Sequence, residues 1–159
     1  MEEMMPNFSL VIPVYRNEEN IPSLMEALLF LHSTLDSLEV VLVIDGSPDN
    51  SGHLLKEAVK KTDLNYKIIF HSRNFGSFTA IRTGMEMATG KFVAAMAADL
   101  QEPPELILQI FSLLESDESD VVFGRRVSRN DPFVSRVLSS FFWKAYRKFV
   151  FPEMPKGGG

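Results

Sequence analysis

Along the chain, short apolar and β-branched runs alternate with longer stretches in which apolar residues recur every three or four positions. The runs are Phe8 to Val14, Glu39 to Ile44, Tyr66 to Phe70, Phe92 to Met96 and Val121 to Phe123. Each is nearly all apolar, which predicts strands buried on both faces. Between them, Ile21, Leu24, Met25, Leu28 and Leu35 share one helical face, and Leu106, Ile107, Ile110, Phe111 and Leu114 share another. A weaker helix is expected over 49–61 and a further one over 77–88, with Gly90 as its left-handed cap. Strand and helix in alternation predict an α/β fold built on a mostly parallel central sheet flanked by helices.

In such a sheet, ligands bind outside the carboxyl ends of the strands, so the residues that follow each run carry the candidate chemistry. These are 13–19, 45–49, 72–76, 97–105 and 124–129, all rich in polar residues, Gly or Pro. Tyr15, just past Pro13, offers a ring that can lie against a nucleobase or simply pack in a strand-to-helix turn. Asp45 ends the second run, where a carboxylate can accept hydrogen bonds from a base or a ribose, while Asp49 or Asn50 suits the cap of the next helix. Asp99 and Gln101 are two apart and face one way if the backbone is extended. They would then offer two oxygens to Mg²⁺ or Mn²⁺, with substrate diphosphate completing the shell; a plain capping turn is the other reading. Pro103 and Pro104 lead into a helix with Glu105 in its first turn. Arg125, Arg126 and Arg129 follow the fifth run, and guanidinium groups pair bidentately with phosphate.

Size and composition narrow the class. A chain of 159 residues, 45% hydrophobic, makes one compact domain with a true core. It has no cysteine, so disulfides and thiolate metal sites are excluded and a cytosolic setting is natural. The N-terminal residues lack the basic and apolar regions of an export signal, and no stretch reaches the roughly 18 apolar residues of a membrane span. The net charge of −5 divides unevenly, with 8 basic and 19 acidic residues over 1–124 against 8 basic and 2 acidic over 125–159. An acidic body argues against nucleic acid as partner, and a basic tail suits an anionic surface. His32, His53 and His71 show no ligand or catalytic spacing and are expected in surface or packing roles. Nucleophile-elbow, Walker and dinucleotide fingerprints are missing from the sequence.

Five segments together resemble the inverting family-two glycosyltransferases of the Rossmann-like GT-A fold, most closely the dolichyl-phosphate mannose synthase and polyprenyl-phosphate glycosyltransferase branch. They are IleProValTyr at 12–15, AspGlySerProAsp at 45–49, SerArgAsnPheGly at 72–76, AlaAspLeuGlnGluProProGlu at 98–105 and PheGlyArgArg at 123–126. The resemblance implies a UDP- or GDP-sugar donor and a polyprenyl phosphate acceptor, on the cytoplasmic face of a membrane. It places Pro13, Tyr15, Val43 and Asp45 in the nucleoside pocket, with Ala98 giving backbone contact. Asp99 and Gln101 would meet the metal, making Asp99 the catalytic carboxylate, and Arg126 would reach the donor phosphates. A Glu that commonly follows two after the Tyr is replaced by Asn17, with Glu18 next, so either fills that place.

Two departures stand out: one carboxylate of the family's AspAspGlySer turn is lost at Ile44, and the first aspartate of its AspXAsp metal motif is lost at Ala97. The lost aspartate leaves open a noncatalytic nucleotide-sugar-binding or scaffold module, and a saccharide or other hydroxyl acceptor is a further alternative. An acceptor phosphate is already anionic at neutral pH, so no strong general base is required. Residues 1–130 are expected to form the nucleotide-sugar-binding core. Over 131–159, Phe133 to Phe151 has the pattern of an amphipathic helix, suited equally to a membrane interface or to packing within the protein. The family continues past this point, which implies a chain truncated at the C-terminus, with weak transferase activity or none.

Overall fold

The computed structural model describes residues 7–117 and 119–124. The chain divides into two compact units, 1–122 and 123–159, and only Phe123 and Gly124 of the second are among the described residues. Arg126 and the amphipathic stretch 133–151 lie outside the described residues.

Four parallel strands, β1 (Phe8–Val14), β2 (Leu38–Asp45), β3 (Asn65–His71) and β4 (Phe92–Ala95), form one sheet in the order β3-β2-β1-β4. They alternate with α1 (Ile21–Thr34), α2 (Ser51–Val59), α3 (Ser77–Met87) and α4 (Pro104–Glu115), and a single 3₁₀ turn, Glu18–Asn20, precedes α1. The α/β reading and four of the five predicted strands are present.

Because side chains alternate across a strand, β1 sends Phe8, Leu10, Ile12 and Val14 to one face and Val11 to the other. On the first face, Val40, Leu42 and Ile44 of β2 join Leu24, Leu28 and Leu31 of α1, Leu55 and Val59 of α2, and Ile107 and Phe111 of α4 in the main core. Phe8 and Phe111 bring their rings to 4.7 Å. The second face packs Val11, Val41 and Val43 against Ala80 of α3. That helix lies close because Gly84 has no side chain: a Cβ there would stand 2.2 Å from Val11 Cγ1.

The chain steps outward from β1 to β2 to β3, then crosses the sheet through α3 to β4 on the far side of β1. The order of strands therefore reverses between β1 and β4, and a crevice opens at their carboxyl ends. This is the feature that positions the site.

Three local expectations differ from the structure. The 121–123 run forms no strand; Val121 is 64% exposed and nothing pairs with it among the described residues. β3 is an edge strand with one neighbour, so it is not buried on both faces, and Phe70 is 58% exposed. Gly90 does not cap α3. The helix closes at Ala88, which is already extended, and Gly90 instead permits close approach, since a Cβ there would lie 2.7 Å from the Phe8 carbonyl carbon.

At the amino ends of the strands, Glu39 is 1% exposed yet charged. Lys67 Nζ stands 2.7 Å away, and Ser9 Oγ, Thr89 N and Thr89 Oγ1 donate to its carboxylate. Burial pushes its pKa up, but these donors outweigh it and hold the group at about 2. This cluster ties three strands and the α3–β4 turn together at the rim opposite the crevice.

Candidate functional site

The crevice between the β1 and β4 ends is a cleft of about 290 Å³. Its lining includes Pro13, Tyr15 and Asn17 from the loop after β1, Asp45 from β2, and Ala98 and Asp99 after β4. Asn74, Gly76 and Ser77 close it from the start of α3. Six of the residues expected from sequence thus converge on one cavity.

Asp45 is its electrostatic centre. The carboxylate is 2% exposed and accepts from Phe75 N (3.0 Å) and His71 Nδ1 (2.7 Å) at Oδ1, and from Gly76 N (2.8 Å) at Oδ2. Burial raises its pKa, yet the Phe75 amide, His71 and the Gly76 amide together bring it below the ordinary carboxylate value. An ionised carboxylate offers about four lone-pair directions, so three donors leave roughly one for a ligand N–H or O–H. His71 Nε2 in turn meets Thr83 Oγ1 of α3 at 3.1 Å, so an Asp45–His71–Thr83 chain joins β2, β3 and α3.

The loop after β1 is held by the turn after β2. Ser47 Oγ accepts from Arg16 N (2.7 Å), Ser51 Oγ from Asn17 N (3.0 Å), and Asp49 Oδ2 from Glu18 N (3.1 Å). Asp49 also accepts from Ser47 Oγ, Ser51 Oγ and Ser51 N, which overcome the effect of burial and lower its pKa to about 2. It supports the turn and the start of α2, while the N-cap position itself is held by Asn50, whose side chain makes no capping bond. The turn itself depends on Gly46, whose φ of +59° is left-handed and where a Cβ would fall 2.2 Å from the Arg73 carbonyl carbon.

Glu18 does not line the cleft, because its carboxylate reaches back to Asn50 N (3.0 Å) and Nδ2 (3.1 Å). Of the two candidates near Tyr15, Asn17 is the one on the cavity wall. Val43 is fully buried beneath α3, one pleat below Asp45, and is not exposed to a ligand. The physical reason is the strand period: Val43 and Asp45 share a face, but α3 covers only the first of them.

Past β4 the backbone does not stay extended. Leu100 takes a left-handed φ of +56°, its N–H returns to Ala97 O (3.2 Å), and the turn folds Gln101 against Asp99, with Nε2 donating to Oδ2 at 2.8 Å. Asp99 is exposed on the cavity wall. Glu102 Oε2 accepts from Ala97 N at 3.2 Å, which brings a carboxylate to the residue where the metal motif has lost its own. Among the described residues no group of three or more His, Asp or Glu could hold a metal. Mg²⁺ usually binds on one or two carboxylates with substrate phosphate and water supplying the remaining oxygens, and Asp99 offers one such carboxylate on the cavity wall.

Sequence reasoning missed His71, Thr83 and Glu102. His71 had a readable signal, since it ends β3 in register with Asp45. Glu102 had none, because its approach to Ala97 depends on the turn at Leu100.

The family model for glycosyl transferase family 2 matches residues 9–157. The undecaprenyl-phosphate 4-deoxy-4-formamido-L-arabinose transferase of Proteus mirabilis is 38% identical over 138 residues, covering 86% of this chain and 42% of that protein. Its counterpart in Photorhabdus laumondii is 34% identical over 148 residues, covering 90% and 45%. The chain thus spans less than half the length of these curated relatives. Among solved structures, the mannosyltransferase PcManGT from Pyrobaculum calidifontis, in complex with GDP-Man and Mn²⁺, superposes with a TM-score of 0.64 at 21% identity, over 78% of this chain and 37% of that one. TarS of S. aureus in complex with UDP-GlcNAc gives 0.61 at 23%, over 79% and 37%. Both likenesses show a shared fold.

Proposed function

Since the chain belongs to glycosyl transferase family 2, we infer that it is the donor-binding part of a glycosyltransferase that moves a sugar from a UDP- or GDP-sugar to a polyprenyl phosphate with inversion. The observation that carries this reading is the cleft at the strand-order reversal, where Tyr15, Asp45 and Asp99 meet. Tyr15 supplies a flat apolar surface for a base, and Asp45 keeps about one acceptor direction for its imide or for a ribose hydroxyl. Asp99, on the wall of the same cleft, is the residue that would hold Mg²⁺ or Mn²⁺ together with the donor's own oxygens. A bound divalent ion would neutralise charge on the departing diphosphate. Arg126 is proposed to reach the same phosphates.

Two relatives act on undecaprenyl phosphate by name, which supports a polyprenyl phosphate acceptor. An acceptor phosphate oxygen attacks the anomeric carbon as the bond to the donor diphosphate breaks on the opposite side. The acceptor arrives ionised, so the protein's task is to align the two and to exclude water. No helix among the described residues is long and apolar enough to cross a membrane. Reaching a lipid carrier at the cytoplasmic face falls in this reading to the basic 131–159 region, with 1–130 as the donor core.

Calorimetric titration with UDP, GDP, ADP and the matching sugar nucleotides, with and without Mn²⁺, tests the reading. Saturable binding of a uridine or guanosine diphosphate, tightened by Mn²⁺, is expected. Failure to bind any of them would leave a scaffold role instead.

A further inference from the structure

The cleft has an unbalanced charge. Asp45 and Asp99 line it, and the Glu102 carboxylate lies against Ala97 N–H beside it, yet the proposed donor carries a diphosphate. Two exposed arginines adjoin, along the chain, residues that line the cleft. Arg16 lies between the cavity-lining Tyr15 and Asn17, with its Cζ 5.4 Å from the Tyr15 ring centroid. Arg73 immediately precedes the cavity-lining Asn74, with its Cζ 4.9 Å from the ring of Phe75. The turn 46–47 brings the two main chains to one place: Ser47 holds the Arg16 amide, and Gly46 backs directly onto the Arg73 main chain. Among the described residues neither guanidinium has a carboxylate within ion-pair distance, whereas Arg82 and Lys67 each do.

Arg16 also has a backbone that a long side chain does not favour. Its φ is +55°, left-handed, a region where Asn and Gly are several-fold enriched over Arg. A non-glycine residue kept in that region beside a cavity is a recognised mark of function.

We propose that Arg16 and Arg73 form a phosphate clamp at the mouth of the cleft, able to hold a phosphorylated ligand without a divalent ion. This rests on the donor-site reading above and deepens it, because it supplies the positive charge that a metal motif reduced to one aspartate supplies poorly. Planar guanidinium groups braced on aromatic rings are suited to bidentate phosphate contact. The same chemistry serves a nucleoside diphosphate or a prenyl monophosphate, so both are tested.

The experiment titrates the 159-residue chain, in EDTA, with UDP, GDP, uridine, guanosine and farnesyl phosphate, and repeats this for Arg16→Asn, Arg73→Gln and the double variant. The wild type should bind the favoured diphosphate about 10-fold or more tightly than its nucleoside, and the double variant should lose that margin while keeping its nucleoside affinity. Loss in the farnesyl phosphate arm alone would assign the clamp to the acceptor. Arg16→Asn relieves the left-handed strain, so its melting temperature should equal or exceed that of the wild type while phosphate affinity falls, an outcome a purely structural arginine would not produce. Unchanged phosphate affinity in the double variant, or a diphosphate margin seen only with Mn²⁺, would overturn the clamp. No binding of any nucleotide or nucleoside by the wild type would overturn the donor reading and the clamp together.

Discussion

Replacing Asp45 by Asn removes one charge and changes almost no volume, so it isolates what the carboxylate does. In the native protein both oxygens are occupied, by Phe75 N and His71 Nδ1 on one and Gly76 N on the other. An asparagine keeps a single acceptor oxygen and turns an NH₂ group toward one of the two backbone N–H donors, Phe75 N or Gly76 N. Losing the charge that these donors share amounts to about 1.5–3 kcal/mol, with no further penalty at Gly76, whose N–H keeps Asn74 Oδ1 as an acceptor at 2.9 Å. That is a large share of the roughly 5–15 kcal/mol that holds a domain folded. Urea unfolding at neutral pH should register the loss, and hydrogen exchange should localise it, with the Phe75 and Gly76 amides exchanging faster while β1 amides stay slow relative to global opening. The sign with pH follows from the lowered pKa of Asp45. A carboxylate depressed in the folded state stabilises fully above its ordinary value of 3.8 and loses that contribution as pH falls through the folded value, so the gap between Asn variant and wild type should narrow in acid. A variant within about 0.5 kcal/mol of wild type at neutral pH, with unaltered exchange at Phe75 and Gly76, would refute this account of Asp45.

Other expectations follow from the same structure. Glu39, held at about 2 against an ordinary 4.5, contributes about 3 kcal/mol above the ordinary value, and this is lost as pH falls toward 2; Glu39→Gln should flatten the acid limb of the stability curve measured by urea unfolding. Gly84→Ala should lower stability by about 1–3 kcal/mol through overpacking, and Val11→Ala should recover part of it in the double variant, since the new Cβ meets Val11 Cγ1. Asp99→Asn, at an exposed position, should leave the melting temperature within a degree or two but abolish any Mn²⁺ enhancement of nucleotide affinity in calorimetry.

What the sequence made legible depended on how local each signal was. β1 and β2 are long apolar runs in the sheet centre, and the polar residues behind them fall at the carboxyl rim for reasons of topology alone, so pattern is enough to bring Tyr15 and Asp45 to the cleft wall. Three kinds of feature escaped. Edge position is set by strand order, which leaves β3 half exposed although its residues read like those of β2. Coverage by a helix is tertiary, which hides Val43 under α3 while Asp45, two residues on, reaches the cleft. Backbone handedness at a single residue also decides side-chain meetings: the left-handed turn at Leu100 folds Gln101 back on Asp99 and brings Glu102 to Ala97. His71 was set aside for want of histidine spacing, yet its meaning lay in its register with Asp45 across two strands.

The most direct test of the central claim is a backbone amide NMR titration of the isotopically labelled chain with the nucleoside diphosphate that calorimetry selects. The account predicts saturable shifts concentrated at Tyr15, Asn17, Asp45, Gly76 and Asp99, with little change at Ser9, Glu39 and Thr89 on the opposite rim. Shifts centred on that opposite rim, or saturation without movement at Asp45 and Asp99, would contradict it.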